Sequence, residues 1–467
     1  MDYVMREVGR ACLWAENGWS LDVRWFCERE VMIIAKKLLT LRGYIWLICE
    51  CMKTLPDDFM DVMGALLGKA ELLEFMRAMD EPCPVSVRMN GGVAGDSSGK
   101  TEGTVARVVA RVPWCLEGAY LEERPSFTMD PLFHGGAYYV QEASSMFVAH
   151  VVDRYVGEAP VTALDLCAAP GGKTTLLIDH LPKGSLLVAN EVNHRRSNIL
   201  AENVSKWLNA KGGLDGDGCV VTNNEPGDFG KLGDEVFDFI LCDVPCSGEG
   251  MFRKDERAIA EWSLKNVDMC WKRQRAIIAD IWDSLKEGGL MIYSTCTYNT
   301  KEDEENVRWI RDELGAEVLD CGAEPEWNLV GNLLDGENFP CCHLMPHRVK
   351  GEGFFCAVLR KGSEPLREAE GTMAGTMAAR RKLVEMVRKR LRVIPLELWD
   401  VEAPVWEVGY DEAVSYLRGD ALRLDDEAPR GMIAVTYRGF RLGMVKNIGQ
   451  RANNLYPKEW RIRKVCL

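Results

Sequence analysis

Residues 163–177, A-L-D-L-C-A-A-P-G-G-K-T-T-L-L, constrain the fold more than any other part of the chain. Val161, Ala163, Leu164 and Leu166 form a short apolar run that predicts a buried strand. Ala168, Ala169, Pro170, Gly171 and Gly172 read as a small-residue turn, and residues 173–181 have helical spacing. A strand feeding such a turn into a helix start lets backbone N–H groups approach a ligand closely. The positive end of the helix dipole stands behind them. In an open α/β sheet, nucleotides sit in the crevice beyond the strand's carboxyl end.

The details of the turn select among nucleotides. A phosphate-binding P-loop needs a glycine five positions before the one preceding Lys173, and that position is Cys167. The spacing of Gly171 and Gly172 also fails the dinucleotide pattern G-x-G-x-x-G. Glu191 follows the strand-like run 186–189, where a carboxylate can accept hydrogen bonds from a ribose diol. The combination suits S-adenosylmethionine better than a polyphosphate.

The alternation around this core extends from Val161 to Arg360. Strands are predicted at 163–167, 186–190, 220–222, 237–242, 290–294 and 354–359, with amphipathic helices at 193–208, 267–285 and 301–314. The last helix has Thr300 as a candidate N-cap and Glu302, Asp303, Glu304 and Glu305 in its first turns, favourable to the helix dipole. This pattern predicts a doubly wound α/β sheet with a late antiparallel hairpin. Upstream lie a predicted helix at 57–79, a strand at 85–89 and a loop at 91–103, and residues 104–121 read as another small α+β unit. Downstream, 362–375 reads as a linker, 378–392 as a basic helix and 393–467 as a small β-rich domain. Residues 1–51 are unlike the rest, with Trp14, Trp19, Trp25 and Trp46 at no clear period. A mis-assigned start with translation from Met52 and a genuine N-terminal extension fit them equally.

Composition narrows the environment. The most apolar early stretch, 31–52, is interrupted by Lys36, Lys37 and Arg42, so no membrane span is expected. Seventeen cysteines without a secretory leader predict a reducing cytoplasm and no disulfide framework. A net charge of −14 argues against a generally basic nucleic-acid binder. Yet from Tyr437 onward eight basic residues stand against Glu459 alone, a local +7, so charge is segregated along the chain.

Two cysteines carry the candidate chemistry. Cys246, in D-V-P-C-S-G-E-G, follows the strand 237–242, and Cys296, in S-T-C-T-Y, follows 290–294. Both fall at carboxyl ends of parallel strands, on the edge of the proposed nucleotide site. Either one alone reads as a small buried hydrophobe; the two together at one crevice read as functional. A cytosine ring is not nucleophilic at C5, but thiolate addition to C6 makes C5 enamine-like and able to attack a methyl sulfonium. A carboxyl group near N3, such as Asp243, would stabilise charge in the adduct, and the base must be unstacked to present C6.

These residues bring the chain to a known family. A-L-D-L-C-A-A-P-G-G-K-T, D-V-P-C-S-G-E-G-M-F-R-K and Y-S-T-C-T-Y-N-T-K-E-D-E-E-N-V closely resemble RNA (cytosine-5) methyltransferases of the Nop/Sun family. S-V-R-M-N (86–90), Y-Y-V-Q-E-A-S-S-M (138–146) and P-H-R-V-K-G-E-G-F-F (346–355) match as well. The ending L-G-M-V-K-N-I-G-Q-R-A-N-N-L-Y-P-K-E-W is similar to the bacterial RsmF-type branch. The resemblance implies a Rossmann-like methyltransferase sheet (135–362) using S-adenosyl-L-methionine, an N-terminal α+β RNA-binding domain (52–134), and a PUA-like RNA-binding domain (393–467). It implies Cys296 as the nucleophile on C6 and Cys246 as the group assisting adduct release. Cys167, Ala168, Ala169, Pro170, Gly171, Gly172 and Lys173 would bind the cofactor, with Glu191 on its ribose. Asp243 would lie between cofactor and base, and the family's adenosine-holding aspartate is here Glu225. The implied substrate is small-subunit 16S ribosomal RNA, contacted by Lys446, Arg451, Lys458 and Arg461, with the protein acting as a monomer.

Rival readings are weaker. A DNA cytosine methyltransferase would make the Pro-Cys thiol, Cys246, the nucleophile, but T-C-T-Y favours RNA. An amino-methylating enzyme would show an Asp/Asn-Pro-Pro-aromatic turn, which D-V-P-C is not. Cys341, Cys342 and His343 lack the C-x-x-C spacing of a zinc site, so no metal is expected.

Overall fold

A computed structural model describes residues 55–90, 107–212, 218–362, 373–399, 402–449 and 451–463. The segment 1–51, the loop 91–103 and most of the linker 362–375 lie outside the described residues. Among the described residues the strands form three sheets. In the first, β1 (Val85–Met89), β2 (Val108–Val112), β3 (Cys115–Leu121) and β4 (Tyr138–Val140) are antiparallel in the order β2-β3-β1-β4. The boundary drawn at 134/135 therefore cuts through this sheet: Tyr138 and Tyr139 pair with Met89 and Arg88. The helix Asp57–Asp80 precedes it and kinks at Gly68, whose φ of 69° suits glycine.

The central sheet holds β5 (Thr162–Asp165), β6 (Leu186–Asn190), β7 (Cys219–Thr222), β8 (Phe237–Asp243), β9 (Leu285–Thr295), β10 (Ala316–Leu319), β11 (Cys342–Leu344), β12 (Phe354–Lys361) and β13 (Val393–Ile394). Its order is β10-β12-β9-β8-β5-β6-β7-β13, with β11 on β12. The five strands from β7 to β9 run parallel. β12 lies antiparallel between β9 and β10, which is the late hairpin the sequence predicts. β13 is antiparallel to β7, so residues 393 and 394 close the central sheet instead of opening the C-terminal one.

Both faces of this sheet are covered, which is why its strands read as continuous apolar runs. Ala163, Leu187, Ala189, Phe239 and Leu241 face one core, with the helices Phe147–Tyr155, Gly172–His180 and His194–Ala210. Leu164, Leu186, Val188, Ile240 and Met291 face the other, with Leu264–Trp282 and Glu304–Leu314. The basic helix Met373–Arg390 joins this second core through Val384 and Val387, so an apolar stripe, not its charge, sets its position.

The third sheet has β14 (Val405–Glu407), β15 (Gly431–Tyr437), β16 (Phe440–Asn447) and β17 (Ala452–Asn454), in that order. The helix Tyr410–Arg418 packs on it through Ala413, Tyr416 and Leu417. One element connects this region to the catalytic sheet. His194–Ala210 is capped by Asn193 Oδ1, which accepts from Arg195 N and Arg196 N. Near its other end Asn209 bonds Glu397 O and Trp399 N, and Lys206 Nζ lies 5.3 Å from the Trp460 ring centroid.

Candidate active site

The carboxyl ends of β5, β6, β8 and β9 bring together most of the residues singled out in the sequence. After β5 the chain turns through Cys167 to Gly171, which takes a φ of 116° as the N-cap residue of Gly172–His180. No side chain caps this helix, leaving its first N–H groups for a ligand. The turn is held from behind by its neighbours. Ala168 N donates to Asn190 O, Arg196 Nη2 to Ala169 O at 2.7 Å, and Asn203 Nδ2 to Pro170 O at 2.8 Å. Burial pushes the Cys167 thiol well above its ordinary range, so its side chain stays a neutral thiol.

Glu191 ends β6 in a buried position. One carboxylate oxygen accepts from Asn193 N at 2.8 Å and the other stands 3.4 Å from Arg196 Nη1. A carboxylate has about four acceptor sites, so capacity remains for a ribose diol. The uncapped helix start, the left-handed Gly171 and this buried acid all fit S-adenosylmethionine. Glu225 lies at the same sheet edge after β7, but it is exposed and serves as the N-cap of the turn Pro226–Leu232.

Asp165 is a residue that the sequence reading did not single out. Its Oδ2 accepts from Thr174 Oγ1 at 2.7 Å, while Oδ1 is buried with no partner. Burial lifts its pKa from the ordinary 3.8 to about 7, with the nearby Asp243 charge adding and the Thr174 hydrogen bond opposing. The folded chain thus keeps this proton across a window, from about pH 4 to 7, in which the unfolded chain has lost it. Stability from this group falls as pH rises through that window. Asp165→Asn is expected to gain on the wild type by a few kcal/mol between about pH 4 and 7. Urea unfolding at several pH values checks this; an unchanged gap between the two proteins removes the assignment.

The thiols meet. Cys246 Sγ and Cys296 Sγ are 3.2 Å apart, both partly exposed and not bonded to each other. The hydrogen bond to Cys296 and then burial push the Cys246 thiol well above the ordinary range. Beside them, Asp243 accepts from Lys173 Nζ at 2.8 Å and from Ser294 Oγ at 2.9 Å. Burial works against the Lys173 ammonium, but Asp243 holds its pKa above the usual value.

Two buried acids clamp the loops that carry the thiols. Glu249 accepts from Tyr298 N, Asn299 Nδ2 and Trp262 Nε1, tying the Cys246 loop to the Cys296 loop. Glu302 reaches the opposite way, accepting from Ser247 N at 3.0 Å and Gln274 Nε2 at 2.8 Å. Gly250 completes the contact: its N donates to Cys296 O, and a Cβ there would lie 2.7 Å from that oxygen. The acids at 302–304 do more than face the helix dipole, and the helix predicted from 301 begins later. All three are buried, the helix starts at Glu304, and Asp303 accepts from Thr295 Oγ1 and Thr297 Oγ1 on either side of Cys296.

The basic residues of the C-terminal domain divide. Lys446, Arg451 and Lys458 are exposed. Arg461 is not a free cation: its Nη2 donates to Tyr456 O and its guanidinium packs over Gly419, so it supports the domain's own fold.

A five-stranded parallel core extended by an antiparallel hairpin, with a glycine turn after its first strand and an acid after its second, defines an S-adenosylmethionine-dependent methyltransferase. Residues 157–360 match the family model of the 16S rRNA methyltransferase RsmB/F. Residues 55–143 match the N-terminal domain of 16S rRNA methyltransferase RsmF, and 403–462 its PUA domain. The chain belongs to the RsmB/F family. Ribosomal RNA small subunit methyltransferase F of Pectobacterium atrosepticum is 34% identical over 377 residues, 76% of this chain and 74% of that protein. Its namesake in Erwinia tasmaniensis is 28% identical over 483 residues, 86% and 96% of the two chains. Among solved structures, a methyltransferase homolog protein from Pyrococcus horikoshii is 28% identical with a TM-score of 0.55, covering 70% of this chain and 98% of that one. Among the described residues no helix is long and apolar enough to cross a membrane.

Proposed function

We propose that this protein methylates C5 of a cytidine in small-subunit 16S ribosomal RNA, acting as a monomer in the cytoplasm. The reading rests on one observation above others: two unbonded thiols 3.2 Å apart at the ends of β8 and β9, beside Asp243. When bound, S-adenosylmethionine supplies the electrophilic methyl group. Cys296 adds as thiolate to C6, and the electron pair of the C5–C6 bond becomes available at C5 to form the new bond to the methyl carbon, whose bond to the sulfonium sulfur breaks with its electron pair going to sulfur. Loss of the C5 proton to solvent water then drives the pair back into the ring and breaks the Cys296–C6 bond, freeing Cys296 as thiolate. Cys246, 3.2 Å from Cys296, assists that release. Asp243, oriented by Lys173 and Ser294, faces N3 of the base, where a carboxyl proton would neutralise the negative charge that builds on addition to C6. Glu191 and the 167–173 turn, and Glu225 at the same edge, hold the cofactor.

Adduct trapping tests this directly. Wild type, Cys246→Ala and Cys296→Ala are incubated with S-adenosylmethionine and 16S RNA and run on denaturing gels. An RNA-linked band should accumulate in Cys246→Ala and be absent in Cys296→Ala. The reverse pattern would transfer the nucleophile to Cys246.

Lys446, Arg451 and Lys458 are assigned to RNA phosphates. Replacing all three by Ala should flatten the slope of log affinity against log salt by about 2, at ~0.7 per lost single-strand phosphate contact. An unchanged slope in a salt titration would remove them from the interface.

A further inference from the structure

We propose that Cys115, Glu117 and His180 form a site for one divalent transition-metal ion of the zinc type, separate from the methyl-transfer crevice. Cys115 and Glu117 lie two residues apart on β3, so their side chains share a face of the strand. His180 ends the helix Gly172–His180, whose other end is the cofactor turn. One ligand atom from each residue falls within 4.8 Å of the other two. His180 Nε2 stands 3.6 Å from Glu117 Oε2, and Cys115 Sγ stands 3.7 Å from the same oxygen. Donors sharing a tetrahedral Zn²⁺ at the usual bond lengths are separated by roughly 3.3–3.6 Å, close to both distances from Glu117 Oε2.

Three further features favour an ion over a simple salt bridge. His180 Nδ1 is 2.7 Å from Asp153 Oδ1, the carboxylate–histidine arrangement that fixes a ligating imidazole with Nε2 toward the metal. That Nε2 is buried and makes no hydrogen bond in the structure. The cluster also gathers negative charge, since the Asp153 and Glu117 carboxylates both face the His180 ring. A soft thiolate, an imidazole and a carboxylate together suit Zn²⁺ better than Mg²⁺ or Ca²⁺. The triad lines a groove of about 410 Å³ with Trp114, His150 and Trp327, leaving a fourth position for water or a small ligand. A second group, Glu304, Cys341 and His343, lacks this spacing, because its histidine and glutamate already bond each other at 2.7 Å.

The bound ion would join β3 of the N-terminal sheet to the helix that begins at the cofactor turn. The test uses the full-length chain, stripped with a chelator and titrated with Co²⁺ under reducing conditions. One equivalent should bind with a thiolate charge-transfer band and the visible bands of tetrahedral cobalt, and Zn²⁺ should displace it. Cys115→Ser should lose the charge-transfer band, whereas Cys246→Ser should keep it. Asp153→Asn, which leaves all three ligands in place, should weaken binding about 10–100-fold. Absence of stoichiometric binding in the wild type would overturn the proposal. So would a thiolate band that survives in Cys115→Ser, which would place the ion on other cysteines.

Discussion

Cys296→Ser is expected to lower kcat for methyl transfer by on the order of 10³-fold or more. The substitution is nearly isosteric. It leaves the Gly250 N to Cys296 O bond, made by the backbone, and the Glu249 clamp in place. What it removes is the nucleophile, because a serine hydroxyl is far less acidic than a thiol. Affinity for S-adenosylmethionine should change little, because the cofactor residues lie on β5 and β6. Single-turnover kinetics separates the steps. A loss confined to KM, with kcat preserved, would mean that Cys296 binds substrate without reacting. Cys246→Ala should behave differently, with a normal first turnover and slow subsequent ones as adduct accumulates.

The second large effect concerns stability. Arg88→Met is expected to cost about 3–5 kcal/mol, the usual consequence of removing one partner of a buried ion pair. The Arg88 side chain is fully buried and donates to Asp179 Oδ2 at 2.7 Å, Thr175 Oγ1 at 2.6 Å and Gln141 Oε1 at 2.9 Å. Its guanidinium also lies 4.5 Å from the Trp207 ring centroid. One side chain thus ties β1 of the N-terminal sheet to the helix carrying the cofactor turn. Methionine fills part of the volume but leaves those acceptors without a donor. Arg88→Lys should fall between, because a single ammonium cannot reach the whole set. Urea unfolding of the three proteins measures the order; a loss within about 1 kcal/mol for Arg88→Met would mean that the network relaxes around the gap.

The strand–turn–helix at 163–177 was legible in the sequence because every local signal agreed. The apolar run, the small-residue turn and the helical spacing all point to β5, Gly171 and Gly172–His180. The convergence of Cys246 and Cys296 was legible for a related reason, since parallel strands place their carboxyl ends on one edge. Short edge strands were not. β10, β11 and β13 have four, three and two residues, and pairing with β12 or β7 defines them more than their own composition does. Glu304 and Glu305 do lie in the helix's first turn as read, but the partners of the buried acids were not legible, for the same cause. Glu302 and Glu304 suit a helix start locally, but their partners Ser247, Gln274 and His343 lie 28 to 55 residues away. Arg461 shows the reverse error: a cation in a basic tail that the fold turns inward onto Gly419.

The helix His194–Ala210 has a consequence for target choice. Its seventeen residues span about 25 Å. Arg196 at one end grips the cofactor turn, and Asn209 and Lys206 at the other hold Trp399 and Trp460. Such a strut works as a ruler. RNA held by the C-terminal domain would meet the thiol pair only at a set distance along its path. Lengthening or shortening this helix should therefore move the position of methylation rather than its chemistry.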